Sequence, residues 1–293
     1  MKPLEIKLKT LTPIWTSGID SKECDRLHET GIIGSLRWWY EALIRRLGGK
    51  ACDPTDSKCD GEDHCAACEL FGCTGWSRKF KLQIIDVNGI LVDNIKINKE
   101  YIFKFIFLRE VYTEEKFLLY TTIKIISDIG SIGGKTVLKP SEKPEKNKKP
   151  HHLDYGLIEL NSDYTGSIFT KKQIENFLNK FKNVPHKDDF PDLRNFWYVR
   201  NYYIPRDKIN SIVSRNDKNS KYYKNNASEL QKWIGGKVGV SKKIFSFHSD
   251  VARRTWGYTP KGKLEMVIEL LEKENIQNIQ RGNILLNQIF KKG

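Results

Sequence analysis

The cysteines constrain this chain more than any other feature, because five of the six lie between positions 52 and 73. Four of these cysteines have the spacing C-x6-C-x5-C-x2-C, namely Cys52, Cys59, Cys65 and Cys68. A C-x2-C pair lets one turn present two thiolates to a single ion, and tetrahedral zinc takes four such ligands. A chain of 293 residues does not need disulfides to fold. We therefore interpret the cluster as a metal site.

The cysteine pattern predicts a closed, structural zinc site within an inserted loop at about residues 50–73. Two nearby side chains, His64 and Cys73, are possible substitutes for one of the four ligands. The alternative is a set of free thiols in a surface loop.

The charge balance points to a polyanionic partner. The chain has 50 Lys and Arg against 36 Asp and Glu, for a formal net charge of +14. This surplus favours nucleic acid over a membrane surface, although a lysine-rich composition that only aids solubility is the alternative. No run approaches the ~20 apolar residues of a membrane span, and residues 1–5 read as a strand instead of a signal peptide. We expect a soluble, cytoplasmic protein.

Hydrophobic periodicity predicts alternating strands and helices in the first 160 residues. Strands are predicted at residues 4–10, 80–87, 101–108 and 155–160, and a helix at residues 31–47. The segment 114–129 fits a helix or a strand, since its helical spacing is built from β-branched residues. This order favours an α+β sandwich with four strands and two helices on one face.

The rest of the chain repeats this order loosely, without a repeat in the sequence itself. A capping box at Thr170 and Gln173 precedes a helix, and further elements are predicted at residues 196–204, 226–234, 244–248 and 264–275. We interpret the chain as two related α+β halves, residues 1–160 and 161–293. A segment rich in Lys and Pro at residues 139–152 is predicted to be a mobile loop within the first half.

The helix at 31–47 carries candidate nucleic-acid contacts. Gly34 and Ser35 near its start would let a phosphate approach free backbone amides. Arg37 and Arg45 flank Trp38 on the face that we predict to be opposite the core, where an exposed Trp suggests stacking. The alternative is a solvated ion-pair ladder through Glu41.

Two further segments combine small, cationic and aromatic residues. Residues 130–136 form a glycine-rich turn with Lys135, but the Walker spacing fails because position 129 is not Gly. Arg253 and Arg254 precede Trp256, which suits phosphate contact and base stacking, or else an ordinary strand with Trp256 in the core. We predict that Arg37, Trp38, Lys135, Arg253 and Arg254 line one groove.

Four motifs, in this order along the chain, resemble those of the RAMP superfamily of CRISPR effector proteins. They are Thr12–Gly18, Ile33–Tyr40, the cysteine run that ends in Cys68–Gly72, and Gly130–Lys135. More narrowly, they resemble the first subunits of the Cmr module in type III-B systems. The resemblance implies tandem ferredoxin-like (RRM-like) folds whose glycine-rich loops face RNA, with Gly34, Arg37 and the Gly130–Gly134 loop at RNA-facing positions. One departure is the insertion rich in Lys and Pro that separates Lys135 from Tyr155-Gly156.

The resemblance also implies a function. We expect a non-catalytic subunit that contacts guide RNA near its 3′ region and single-stranded target RNA, among other subunits of the effector complex. The predicted RNA contacts are Trp15, Arg26, Gly34, Ser35, Arg37, Trp38, Arg45, Gly130, Gly133, Gly134, Lys135, Arg253, Arg254 and Trp256. The alternative is a metal-independent endoribonuclease that processes guide precursors with His28 as general base.

Overall fold

The computed structural model describes residues 2–16, 26–54, 58–136, 153–185, 187–214, 227–237, 240–287 and 290. It contains two four-stranded antiparallel sheets with helices packed on them, which confirms the predicted α+β class. The segment 139–152 lies outside the described residues, as does Cys24. Within the described part of the chain, no helix is long and apolar enough to cross a membrane.

The first sheet uses strands from the N-terminal part of the chain. These are β1 (Leu4–Thr10), β2 (Phe80–Ile85), β3 (Glu100–Phe107) and β4 (Ile158–Leu160). Its helices are α1 (Glu29–Arg46), the short α2 (Ala66–Phe71) and α3 (Thr113–Asp128). The strands lie in the order β2-β3-β1-β4 in the sheet. Along the chain, apart from the short α2, strands and helices follow a β-α-β-β-α-β path.

The second sheet repeats this path. Its strands are β5 (Phe196–Arg200), β6 (Ile244–Phe247), β7 (Arg254–Tyr258) and β8 (Gln280–Arg281), in the order β6-β7-β5-β8. The helices are α4 (Lys171–Leu178), which precedes the sheet, and then α5 (Arg206–Ile212), α6 (Glu229–Gly235), α7 (Leu264–Lys273) and α8 (Asn283–Asn287). The strand order therefore matches that of the first sheet, position by position.

The first sheet is buried on one face only. In β1, Ile6 and Leu8 are buried, whereas Glu5 and Lys7 are exposed on the opposite face. The buried face packs in one core with α1 and α3, as the alternation in the sequence requires. The ambiguous segment 114–129 is a helix, because its apolar side faces this core.

The second sheet is buried on both faces. One face carries Trp197, Val199 and Ile244, which pack with the residues of α5, α6 and α7. The other face carries six residues that join the core of the first sheet, namely Phe196, Tyr198, Phe245, Phe247, Trp256 and Tyr258. Accordingly, β5, β6 and β7 are buried without alternation, apart from Arg200 at the end of β5.

Candidate functional site

A pocket of about 570 Å³ opens where three parts of the molecule meet. They are the N-terminal part of α1, the glycine turn after α3, and the aromatic face of the second sheet. The pocket brings together eight of the predicted contacts, namely Trp15, Gly34, Ser35, Trp38, Gly133, Gly134, Lys135 and Trp256. Their contact with RNA stays a prediction.

The wall from α1 exposes backbone. Gly31, Gly34, Ser35 and Trp38 follow each other at helical spacing and line the pocket. A Cβ at Gly34 would have no other heavy atom within 4 Å, so the helix backbone is open to close approach there. The predicted contact of a phosphate with free amides at the helix start is wrong for these residues, because α1 begins at Glu29 and Gly34 and Ser35 lie in its second turn, where the amides are bonded within the helix.

The wall from the glycine turn is fixed to the loop after β1. Gly134 donates its backbone N–H to the carbonyl oxygen of Trp15 at 2.8 Å. Gly133 has φ +83°, and a Cβ there would stand 2.8 Å from the same oxygen, so only glycine fits. Lys135 also has positive φ, at 55°, and its Nζ lies 3.2 Å from the centroid of the Trp15 ring.

The third wall is aromatic. Trp38 is half-buried, and its ring lies 5.5 Å from Tyr258 and 6.1 Å from Trp256 between centroids. Trp256 is only 2% exposed and stacks on Phe245 at 3.7 Å. Trp256 is thus both a strand residue in the core, one of the two sequence interpretations, and part of the pocket wall.

Sequence reasoning missed several residues of the pocket, including Trp39, Lys242, Phe245 and Tyr258. The aromatic residues at alternate positions of β6 and β7 are the signal that could have indicated Phe245 and Tyr258, because alternate residues of a strand share one face of the sheet.

The predicted single groove is wrong, because Arg37 turns away from the pocket. Its guanidinium donates to the carbonyl of Gly72 and to Glu41, both at 2.8 Å, and to the Sγ of Cys68 at 3.2 Å. Arg37 therefore belongs to the surroundings of the cysteine cluster.

Arg45 and Glu41 do not form a solvated ladder either. Arg45 is 3% exposed and donates to the carbonyl oxygens of Ala51, Cys52 and Pro191, so it is unavailable to a ligand. Burial raises the pKa of Glu41 to about 7, although Arg37 and Arg45 oppose the shift. This face of α1 is a buried polar contact.

Two more predicted contacts are structural. Arg254 is buried and donates to the carbonyl of Ser127 at 2.6 Å, at the C-terminus of α3, where a cation is favoured. Burial lowers the pKa of Arg254 to about 10. Gly130 is buried against the ring of Trp39, where a Cβ would stand 2.6 Å away.

The last two predicted contacts are exposed but lie outside the pocket. Arg253 pairs with Asp250 at 2.7 Å and lines a separate pocket of about 700 Å³ beside β4 and β5. Arg26 follows the loop after β1, and its backbone carbonyl accepts from Thr16 at 3.3 Å. His28, the alternative general base, precedes α1 and is not among the residues that line the first pocket.

The four predicted cysteines form a compact, buried cluster. All Sγ atoms of Cys52, Cys59, Cys65 and Cys68 lie within 4.8 Å of one another. The C-x2-C pair sits at the start of α2, with Cys65 immediately before the helix and Cys68 in its first turn. The backbone N–H groups of Cys52 and Cys65 donate to the Sγ atoms of Cys65 and Cys59, at 3.4 and 3.3 Å.

This donor set fits a metal ion that prefers four sulfur ligands. Cys73 lies outside the cluster of four. The imidazole of His64 contacts Gly61 O through Nδ1 and Glu69 through Nε2, so neither ring nitrogen is turned to the cysteines. Arg37, which donates to Cys68, places a positive charge beside the sulfur atoms of the cluster.

Comparison with known proteins agrees with this fold. The sequence matches the RAMP superfamily over residues 7–258. No curated protein sequence matches the chain. The structure is similar to apo Cmr1 from Pyrococcus furiosus, with a TM-score of 0.50 at 8% identity over 96% of this chain and 99% of that one.

The structure is also similar to chains of the type III-B Cmr-beta complex. The complex bound to cognate target RNA and AMPPnP with ssDNA present, state 2, gives a TM-score of 0.47 at 11% identity, covering 92% of this chain and 98% of that one. The complex bound to cognate target RNA gives 0.43 at 11% identity, covering 93% and 99%. Since the family match spans more than half of the sequence, the chain belongs to the RAMP superfamily.

Proposed function

We propose that this chain is a non-catalytic, RNA-binding subunit of a type III-B CRISPR effector ribonucleoprotein. Membership of the RAMP superfamily and a fold like that of Cmr1 support this role. The two matching β-α-β-β-α-β paths support tandem ferredoxin-like folds. Guide RNA near its 3′ region, target RNA and neighbouring subunits are the proposed partners, in the cytoplasm.

The pocket between α1, the glycine turn and the second sheet carries the proposal. It combines the three groups that single-stranded RNA needs: exposed backbone near small residues, ammonium groups, and aromatic rings. Lys135 and Lys242 supply positive charge, and Gly34, where a Cβ would meet no heavy atom within 4 Å, leaves room for a sugar-phosphate chain. The pocket does not contain a row of closely spaced cations, so we expect stacking to contribute much of the binding free energy.

Titration of the full-length chain with labelled single-stranded RNA at several salt concentrations tests the proposal. Lys135→Ala is expected to weaken binding and to lower the salt slope by about 0.7, because one phosphate contact is lost. Trp38→Leu is expected to cost about 1–3 kcal/mol at an unchanged slope, because stacking exchanges no ions. Lys81 is an exposed lysine on β2 that does not line the pocket, so Lys81→Ala is the matched control and is expected to bind as wild type.

Two results would contradict the proposal. Equal affinity and slope in all three variants would place RNA elsewhere on the molecule. Cleavage of a guide precursor in EDTA that is lost in His28→Ala would favour the endoribonuclease instead.

The second part of the proposal is a structural zinc ion held by Cys52, Cys59, Cys65 and Cys68. Bound zinc would cross-link the start of α2 to the segment that follows α1, which stabilises the region around residues 52–68. Metal analysis of the purified chain is expected to give one zinc per chain. Cys65→Ser is expected to lose the metal, whereas Cys73→Ser retains it, and folded protein with a stoichiometry near zero would refute the site.

A further inference from the structure

The pocket that we propose for RNA is built more like a site for one small aromatic group than like a track for a strand. Six aromatic side chains line it, and its cationic lining groups among the described residues are two lysines. A protein surface that follows a phosphate backbone needs a row of cations. The volume of about 570 Å³ lies in the range of small-ligand sites.

Two residues that line this pocket carry a buried polar atom without a partner. Within the described part of the chain, neither the indole Nε1 of Trp256 nor the Oγ of Ser131 has a hydrogen-bond partner. Ser131 is 3% exposed, and both atoms are shielded from solvent. Buried polar groups are nearly always paired, so two orphans in the wall of one pocket point to a ligand that pairs them.

The indole N–H of Trp256 can only donate, and the hydroxyl of Ser131 can donate or accept. Their shared ligand must therefore be flat enough to stack and must carry a hydrogen-bond acceptor on its edge. Every nucleobase meets both conditions. Because the two atoms have almost no solvent-accessible surface, a side-chain adjustment on binding is needed to reach them, which is common at interfaces.

We infer that this pocket receives the base of a single unpaired nucleotide, splayed out of the RNA strand. The base stacks on the aromatic wall and pairs with Trp256 and Ser131, while Lys135 and Lys242 lie near the adjoining phosphates. This inference rests on the proposed RNA-binding function and adds to it that one nucleotide is recognised through its base.

A scan with abasic nucleotides tests the inference on the full-length chain. A short single-stranded RNA is prepared with the base removed at one position at a time, and each Kd is measured. Removal at one position is expected to weaken binding about tenfold, within the range that stacking provides, and removal elsewhere to change Kd less than about twofold. In Ser131→Ala and in Trp256→Phe, which keeps a stacking ring, removal of the base at that position is expected to weaken binding less than it does in wild type.

Ser214→Ala is the matched control, because Ser214 also has a buried hydroxyl without a partner among the described residues but does not line the pocket. Neither serine variant loses a hydrogen bond within the described structure, so both are expected to melt near the wild-type temperature. This control should leave the abasic profile unchanged.

The outcomes separate the inference from the proposed function. RNA binding with the same base effect at every position would overturn the base pocket and leave the RNA-binding function in place. A position-dependent effect that survives in both pocket variants would put the base elsewhere and would also overturn it. Failure of the wild-type chain to bind RNA would overturn both.

Discussion

The first sheet buries one face and the second buries both, although their strands are connected in the same order. The first sheet lies under two long helices, α1 with 18 residues and α3 with 16. The helices of the second sheet are shorter, from 5 residues in α8 to 10 in α7. Of these, α5, α6 and α7 cover one face, whereas the aromatic face packs in the core of the first sheet, where it meets Trp38 and Trp39 of α1.

The two regions also differ in what they bury. Beneath the helices of the first sheet lie ionisable groups, including Lys79 and Glu115, which pair at 3.1 Å, and Lys79 also pairs with Glu69. The aromatic face of the second sheet instead buries rings, with Phe196 and Phe245 each stacked on Trp256. The same strand order thus encloses two kinds of interior. We therefore expect the free energy of unfolding to respond differently to substitutions and to pH in each.

The largest effect is expected where the two regions meet. Trp256→Ala is expected to lower the free energy of unfolding by about 3–5 kcal/mol, because it leaves a large cavity in a core shared by both sheets. Urea denaturation measures the loss. Lys81→Ala, on the exposed face of the first sheet, is expected to change stability by less than about 0.5 kcal/mol, and a similar loss in both variants would contradict the comparison.

A buried carboxyl should make the first region sensitive to pH. Burial raises the pKa of Glu115 from 4.5 to about 7, although Lys79 opposes the shift. The native state therefore binds more protons than the unfolded state between these values. The contribution of Glu115 to the free energy of unfolding is therefore largest below about pH 4.5. It falls as the pH rises towards 7, by up to about 3 kcal/mol.

Glu115→Gln is expected to flatten that decline, since the amide does not titrate. Unfolding is measured in denaturant at several pH values between 4.5 and 8. Glu269→Gln, at an exposed position of α7, is the matched control and is expected to leave the pH profile of wild type unchanged. Parallel profiles for wild type and Glu115→Gln would refute the assignment.

A smaller effect is expected at Arg37, which connects α1 to the cysteine cluster. Arg37→Ala is expected to cost about 1–3 kcal/mol, because it leaves Glu41 and the carbonyl of Gly72 without this donor. If zinc occupies the cluster, retention against a competing chelator should fall about 10–100-fold. Arg37→Lys keeps the charge but loses the planar guanidinium, so we expect zinc retention between that of wild type and that of Arg37→Ala. Zinc retention as in wild type in Arg37→Ala would rule out this role.

The smallest effect compares one helix cap from each region. Thr170 begins α4, which packs in the shared core, and Ser228 begins α6, which packs in the separate core of the second sheet. Each accepts a hydrogen bond from the N3 backbone, so Thr170→Ala and Ser228→Ala are each expected to cost about 1 kcal/mol. Hydrogen exchange is expected to become faster only in the helix whose cap is removed. A tenfold larger increase in exchange rate in one variant than in the other would mean that its cap stabilises more than its own helix.

Much of the fold was predictable because local patterns carry it. The alternation of Ile6 and Leu8 with charged residues predicts β1, and the capping box at Thr170 predicts the start of α4, which the structure confirms. The helix α2 escaped prediction, since its six residues are too few to show a period. The division between residues 160 and 161 stays a prediction.

The site was predictable only in part, because it depends on contacts between distant segments. The residue types at Gly34 and Lys135 suggested a backbone-binding surface, and the structure brings both to one pocket. Nothing near Arg254 in the sequence indicates that the C-terminus of α3, 127 residues earlier, takes up its guanidinium. Arg37 was misplaced for the same reason, since its partner Gly72 lies 35 residues away.

The shared aromatic face has a consequence for the order in which the protein forms on the ribosome. All strands and helices of the first sheet are translated before β5, so this part can begin to fold while the second sheet is still missing. Until β7 emerges, Trp38 and Trp39 lack the rings that cover them in the finished protein. A nascent chain arrested after residue 160 therefore presents an uncovered tryptophan surface, and we expect it to recruit chaperones or aggregate, whereas the completed chain hides that surface itself.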